Sequence, residues 1–290
     1  MNSPIGIFDS GYGGLTILDG IRRKLPQYDY LYLGDNARAP YGTRSFEIVY
    51  EFTRQAVERL FALGCHLIIL GCNTASAKAI RTIQQHDLPQ MAPDRRVLGV
   101  IRPTAEVIGS LTQTRHVGIL ATEGTIRSHS YNMEIQKLFP DIQVSGIACP
   151  FWVPLVEYNE ADSPGADYFV KKRIDQLMAL DPAIDAVILG CTHYPLLMPK
   201  IRKFMPPQVR IIAQGDYVAT SLQSYLERHP EIEAHCSKHG TTHYLTTENA
   251  ARFKDQACIF LNEDIDVETI SLENTQIVRT TVLTSECTHK

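Results

Sequence analysis

Two stretches of this chain are near copies of each other. "ILGCNTAS" occupies residues 69–76 and "ILGCTHYP" occupies residues 188–195. Each is a short apolar run that ends in Gly-Cys and passes into small, polar or turn-forming residues. A lone cysteine after an apolar run is usually an inert core thiol. Two of them, Cys72 and Cys191, in matched settings call for a fold that builds the same strand-to-loop unit twice.

The residues around each copy carry the repeat further. "IGIFDSGYGG" (5–14) opens one cycle and "VGILATEGT" (117–125) the other. Apolar runs of strand length stand at 5–8, 30–33, 67–70, 117–120 and 186–189. Between them lie segments of helical period. Over 45–63 the apolar positions are Val49, Phe52, Ala56, Val57, Leu60 and Leu63, with Gly64 as the stop signal. Residues 74–85 predict the helix after Cys72, and Phe169, Val170, Ile174, Leu177 and Leu180 mark another, which Asp181-Pro182 ends. Alternating strands and helices imply parallel sheets covered on both faces. The expected fold is α/β, with two similar lobes, each a mainly parallel sheet flanked by helices, and a cleft between them. Residues 1–98 plus 211–290 form the first lobe and 99–210 the second. No period places the polar, β-branched tail after about residue 272.

Composition narrows the classes. A 290-residue chain with 44% hydrophobic and 21% charged residues fits a soluble globular protein. A net charge of −4 without a Lys/Arg cluster argues against nucleic acid as a partner. The apolar runs are too short to span a bilayer, and the N-terminus enters a strand with no signal-peptide core. Seven cysteines without CxxC spacing favour reduced thiols, hence a cytoplasmic setting. Cys65, Cys149, Cys258 and Cys287 read as packing or surface thiols. His235, Cys236 and His239 lack a fourth ligand at zinc spacing and read as a solvated helix end. "GYGG" lacks the spacing of a dinucleotide fingerprint and reads as a tight turn.

Ligands of parallel α/β sheets sit at the carboxyl ends of strands. Cys72 and Cys191 both follow strands, and a helix N-terminus behind a thiol lowers its pKa. Two thiols facing each other across a cleft can work on opposite faces of one carbon. Ser10, in Asp9-Ser10-Gly11, is placed to cap a helix and leave N–H groups for a carboxylate. Asn73-Thr74 and Thr192-His193 set amide, hydroxyl and imidazole beside the thiols, while Asp9 and Glu157 suit an ammonium group or a thiol proton.

"FDSGYGGL" (8–15), "PYG" (40–42), "GCNTAS" (71–76), "CPFWVPLVE" (149–157) and "GCTHYPLL" (190–197) together resemble the cofactor-independent aspartate/glutamate racemase family, and its glutamate racemases most of all. The resemblance runs in order from Ile5 to about Tyr225. It implies an isomerase that interconverts L- and D-glutamate for peptidoglycan, with no pyridoxal phosphate or metal, acting as a homodimer. By that resemblance Cys72 and Cys191 are the acid/base pair. Asp9, Ser10, Tyr41, Gly42, Asn73, Thr74, Thr192 and His193 form the substrate site, with Glu157, Thr122 and Thr125 in support. Ala213-Gln214-Gly215-Asp216 stands where the family usually has an acidic residue followed by Ser or Pro. Aspartate or hydantoin racemases share the paired thiols; pocket depth separates them, and the motif set favours glutamate. A two-lobed amino-acid binding protein without turnover is a rival of another class.

Overall fold

The computed structural model describes residues 3–272. Six strands form the first sheet: β1 (Ile5–Asp9), β2 (Tyr30–Gly34), β3 (Leu67–Leu70), β4 (Arg96–Gly99), β9 (Thr242–Thr246) and β10 (Val267–Thr269). Four form the second: β5 (His116–Ala121), β6 (Gln143–Ala148), β7 (Ala186–Gly190) and β8 (Arg210–Ile212). Their orders are β10-β9-β2-β1-β3-β4 and β6-β5-β7-β8, and every pair is parallel.

The apolar runs behave as strands buried on both faces must. Successive residues of β3 alternate between two cores: Leu67 and Ile69 pack with Ile5, Ile7 and Leu18, while Ile68 and Leu70 pack with Phe8, Val57 and Leu60. In β7, Val187 and Leu189 face one core of the second lobe and Ala186 and Ile188 the other. The expected helix over 45–63 is Phe46–Ala62, capped by the Ser45 hydroxyl accepting from the Ile48 N–H. Gly64 ends it at a φ of 99°, which a side chain would resist.

Three expectations shift. The helix after Cys72 begins at Asn73, breaks at Ala79, and continues through a wide turn at Ile83–Asp87 to Met91. Burial of Ile83 and Leu88 carries it past the polar run that signals a stop near 85. The lobe boundaries move by a residue or two. Gly99 pairs with Leu70 in the first sheet, and Ile211 and Ile212 pair with Val187 and Ile188 in the second. Cys258 is disulfide-bonded rather than a thiol, a bond that local spacing does not reveal. The tail after residue 272 lies outside the described residues.

The chain passes between lobes near Val100 and again near Ala213. The second passage leads into helix Gly215–Arg228, which packs back on helix Leu15–Lys24 of the first lobe. Their contact is closest at Gly20 and Gly215, where a Cβ on Gly20 would lie 2.9 Å from the Gly215 carbonyl carbon. His235 stacks on His66 with 4.3 Å between ring centroids, Cys236 donates to the Ile232 carbonyl, and His239 meets Asp29 at 2.6 Å. Each of the three thus serves a separate local contact. Among the described residues, no helix is long and apolar enough to cross a membrane.

Alanine at Gly20 offers about 1 kcal/mol of helix propensity. The atoms it would strike are backbone and cannot swing away, and overpacking costs about 1–3 kcal/mol. The clash wins, so Gly20→Ala should lower the midpoint of urea unfolding. A raised midpoint would contradict this packing.

Candidate active site

β1, β3 and β7 end at the same cleft. Gly71, just past β3, donates its N–H to the Phe8 carbonyl of β1 at 2.7 Å, which holds the next residue, Cys72, beside Asp9 and Ser10. Cys72 caps helix Asn73–Lys78: its sulfur accepts from the Ala75 N–H at 3.4 Å and lies 3.3 Å from Ser10 Oγ. Asp9 closes β1, with Oδ2 accepting from the Gly11 N–H at 2.9 Å. Its Oδ1 is buried without a hydrogen-bond partner.

Across the cleft, Cys191 follows β7 and leads into the short turn Tyr194–Leu197. His193 Nδ1 lies 3.9 Å from the Cys191 sulfur, and its Nε2 lies 2.9 Å from Glu157 Oε1. Glu157 ends helix Trp152–Glu157, which the fully buried Trp152 anchors in the second-lobe core. Thr16 Oγ1, from the first lobe, donates to the Thr192 carbonyl at 2.9 Å. Gly13 lies so close to Thr192 and His193 that a Cβ there would overlap both side chains.

Burial sets the electrostatics. Desolvation pushes the Cys72 thiol up to about 11, with the Asp9 charge adding to the rise and the bonds from Ser10 and Ala75 opposing it. Cys191 is raised well above a normal thiol, first by burial, and then by the charges of Cys72, Asp9 and Glu157 against the His193 N–H. Asp9 is itself raised, chiefly by burial. This overturns the expectation that a helix N-terminus gives a low-pKa thiol. One N–H contact at 3.4 Å does not replace the water that burial removes, and Cys191 has no α-helix behind it.

The remaining expected residues divide into two groups. Thr74 and Thr122 hydroxyls meet at 3.0 Å, and Thr122 donates to Thr125 at 3.1 Å, so this threonine set bridges the lobes. The Gly42 carbonyl accepts from the Gly124 N–H at 2.8 Å, which brings the "PYG" turn to the same seam. Tyr41 is different. Its ring packs between Phe8 and Phe52 and its hydroxyl is given to the Asp35 carboxylate, so it buttresses the first lobe. Asn73 is buried between Gln214 and Tyr131. Sequence reasoning missed Gly13, Thr16, Tyr131 and Gln214. Gly13 carried a signal as part of the "GYGG" turn and Gln214 as part of the aberrant return loop, while Thr16 and Tyr131 carried none.

Two thiols, each with its own polar partners and with Cys191 feeling the charge of Cys72, can take a proton from one face of a carbon and give one to the other. A cavity of about 260 Å³ reaches Cys191 and Thr192 and is walled by Thr16, Gln214 and Phe260. A larger one, of about 490 Å³, lies around His116, Asn132 and Asp181 in the second lobe. Of the two, only the smaller touches a thiol, that of Cys191.

Comparison with known proteins gives concordant findings. A family model described as Asp/Glu/Hydantoin racemase matches residues 15–222. The chain is 40% identical over 274 residues to a protein named glutamate racemase from Ruegeria sp. (strain TM1040), covering 91% of this chain and 98% of that one. Among solved structures, a glutamate racemase isoform from Bacillus anthracis superimposes with a TM-score of 0.85 at 33% identity, covering 93% of this chain and 98% of the other. A glutamate racemase from Francisella tularensis, solved with D-glutamate, gives 0.83 at 32% identity, with 94% and 98% covered.

With its pKa near 11, Cys72 is ionised to only about one part in ten thousand at neutral pH. Alkylation needs the thiolate. Its rate at Cys72, followed by peptide mass spectrometry with iodoacetamide, should therefore climb about tenfold per pH unit from about pH 7 to about pH 10. A plateau by about pH 8 would contradict the burial account.

Proposed function

The chain belongs to the aspartate, glutamate and hydantoin racemase family, and from that premise we propose that it interconverts L- and D-glutamate by a two-thiol mechanism. The observation that carries the reading is the opposition of Cys72 and Cys191, buried at the ends of β3 and β7 in different lobes. Its relatives' names, and the D-glutamate in one solved relative, favour glutamate as the substrate.

In the L-to-D direction, Cys191 must first be a thiolate. Its proton passes to His193 Nδ1, and Glu157 at Nε2 stabilises the imidazolium that results. The thiolate then takes the Cα proton, leaving the electron pair on the substrate. Cys72 gives its proton to the opposite face and becomes a thiolate itself. On this side the substrate's ammonium group supplies the positive charge, with the unpartnered Asp9 Oδ1 as an acceptor for it. The D-to-L direction uses the same groups with Cys72 as base. Hydroxyls of Ser10, Thr74, Thr122, Thr125 and Thr192, with N–H groups of the loops, serve the two carboxylates. A closed cleft strengthens these contacts by excluding water. The D-glutamate feeds peptidoglycan synthesis in the cytoplasm, and the enzyme works as a homodimer.

Replacing either thiol by serine should lower racemisation, followed by circular dichroism, by about 10²–10⁴-fold, because a hydroxyl is a far weaker acid. With an analogue bearing a β-leaving group, Cys72→Ser should process only the L form and Cys191→Ser only the D form. A variant that keeps near-normal racemisation in both directions would sink the two-thiol mechanism.

L-aspartate is one methylene shorter and leaves one set of carboxylate donors unpaired, which costs more than a missing methylene alone. Its kcat/KM should fall several powers of ten below that of L-glutamate. Equal values would move the substrate assignment to aspartate. No pyridoxal phosphate or metal enters these steps, so the protein should hold full activity in chelator and show no aldimine absorbance. Activity restored by added cofactor after dialysis would contradict that.

A further inference from the structure

The return loop Ala213-Gln214-Gly215-Asp216 takes no part in the chemistry above, yet Gln214 is only 3% exposed. Its Oε1 accepts from Asn73 Nδ2 at 2.7 Å. Its Nε2 lies 2.8 Å from Tyr131 Oη, 3.0 Å from Thr104 Oγ1 and 3.1 Å from the Val100 carbonyl. Tyr131 Oη donates onward to Asn73 Oδ1 at 2.7 Å, so Asn73, Gln214 and Tyr131 close a ring of hydrogen bonds.

Donor counting shows that the ring is complete. Nε2 has two hydrogens and three acceptors in reach. The Thr104 hydroxyl donates to the Val100 carbonyl at 3.2 Å, so both Nε2 hydrogens can go to Tyr131 and Thr104 and every acceptor is served. Asn73 then keeps one N–H uncommitted, directly after Cys72. The ring also gathers both passages between the lobes. Val100 and Thr104 lie at the first, Gln214 at the second, and Tyr131 belongs to second-lobe helix Ser130–Leu138. The close approach of Gly215 to Thr16 and Gly20 fixes the loop against the helix that also holds Thr192.

We propose that Gln214 is a positioning residue for racemisation: by clamping the Asn73 amide to Tyr131 across both inter-lobe passages, it sets the Cys72 helix start and the second lobe in register for proton transfer. The proposal rests on the racemase reading. It assigns a use to a loop that departs from the family pattern. Glutamine fits because it offers an acceptor to Asn73 and two donors to the second lobe; a carboxylate offers no donor and leucine offers neither.

The test is steady-state kinetics of the full-length protein in both directions, with thermal melts to confirm folding. In Gln214→Leu, kcat should fall about 10–100-fold while KM for glutamate changes less than about threefold, the pattern for geometry lost in the transition state. In Gln214→Glu the acceptor stays, and protonating the buried carboxyl restores a donor. Its kcat relative to wild type should therefore rise about tenfold as pH falls from about 9 to about 6. That limb decides the matter even if Gln214→Leu does not fold. A purely structural role predicts lower melting temperatures, unchanged kcat in the folded protein and no such limb, and that result would overturn the proposal. Wild-type protein that racemises no glutamate would overturn the racemase reading and this proposal together. Wild-type turnover with unaltered variants overturns the role of Gln214 alone.

Discussion

A thiolate in this cleft has almost no water to solvate it, and the rest of the site answers to that fact. Cys72 and Cys191 are 5% and 6% exposed, and burial alone moves both toward the neutral form. Asp9 adds a third anionic candidate in the same space and is pushed the same way. Three negative charges cannot share so dry a volume. The resting cleft therefore favours neutral thiols, and ionising one requires that its proton and its counter-charge be provided for locally. The two sides provide for this differently. Cys191 has a histidine backed by a carboxylate, while Cys72 has a hydroxyl, one helix N–H and a buried carboxyl group with a free oxygen.

The fold makes that burial possible by ending strands of two sheets at one seam. Parallel pairing aligns the ends of β1 and β3, and the same pairing in the second lobe delivers β7. The lobes then meet through short polar contacts, Thr16 with Thr192, Thr74 with Thr122, Gly42 with Gly124 and the Gln214 ring, and through apolar ones, with Phe260 packed on one second-lobe core and Ala77 and Tyr217 on the other. Each of the polar bonds contributes about 1 kcal/mol net, far less than the cores that hold each lobe together.

Whatever was local in the sequence could be read from it. A four-residue apolar run bounded by Gly says strand, and its repetition before Cys72 and Cys191 says two like units. One neighbour of a thiol was legible where it sits beside it in the chain, as His193 does two residues from Cys191. Long-range effects were not. The pKa of Cys72 follows from its burial in the folded molecule, and the N-cap position in isolation points the opposite way. Tyr41 sits in a substrate-like motif but is held by Asp35, which nothing in the motif announces. Gln214 could be flagged as unusual, but its value comes from Asn73, Tyr131 and Thr104, which are far from it in the chain.

The central claim is that different groups remove and return the proton. The most direct measurement is mass spectrometry of both enantiomers, separated after brief incubation of L-glutamate with the protein in deuterated water. Two thiols on opposite faces predict D-glutamate that carries solvent deuterium at Cα while the recovered L-glutamate stays protiated. Deuterium at equal levels in both enantiomers, or protium kept in the D product, would mean that one group serves both faces and would contradict the account.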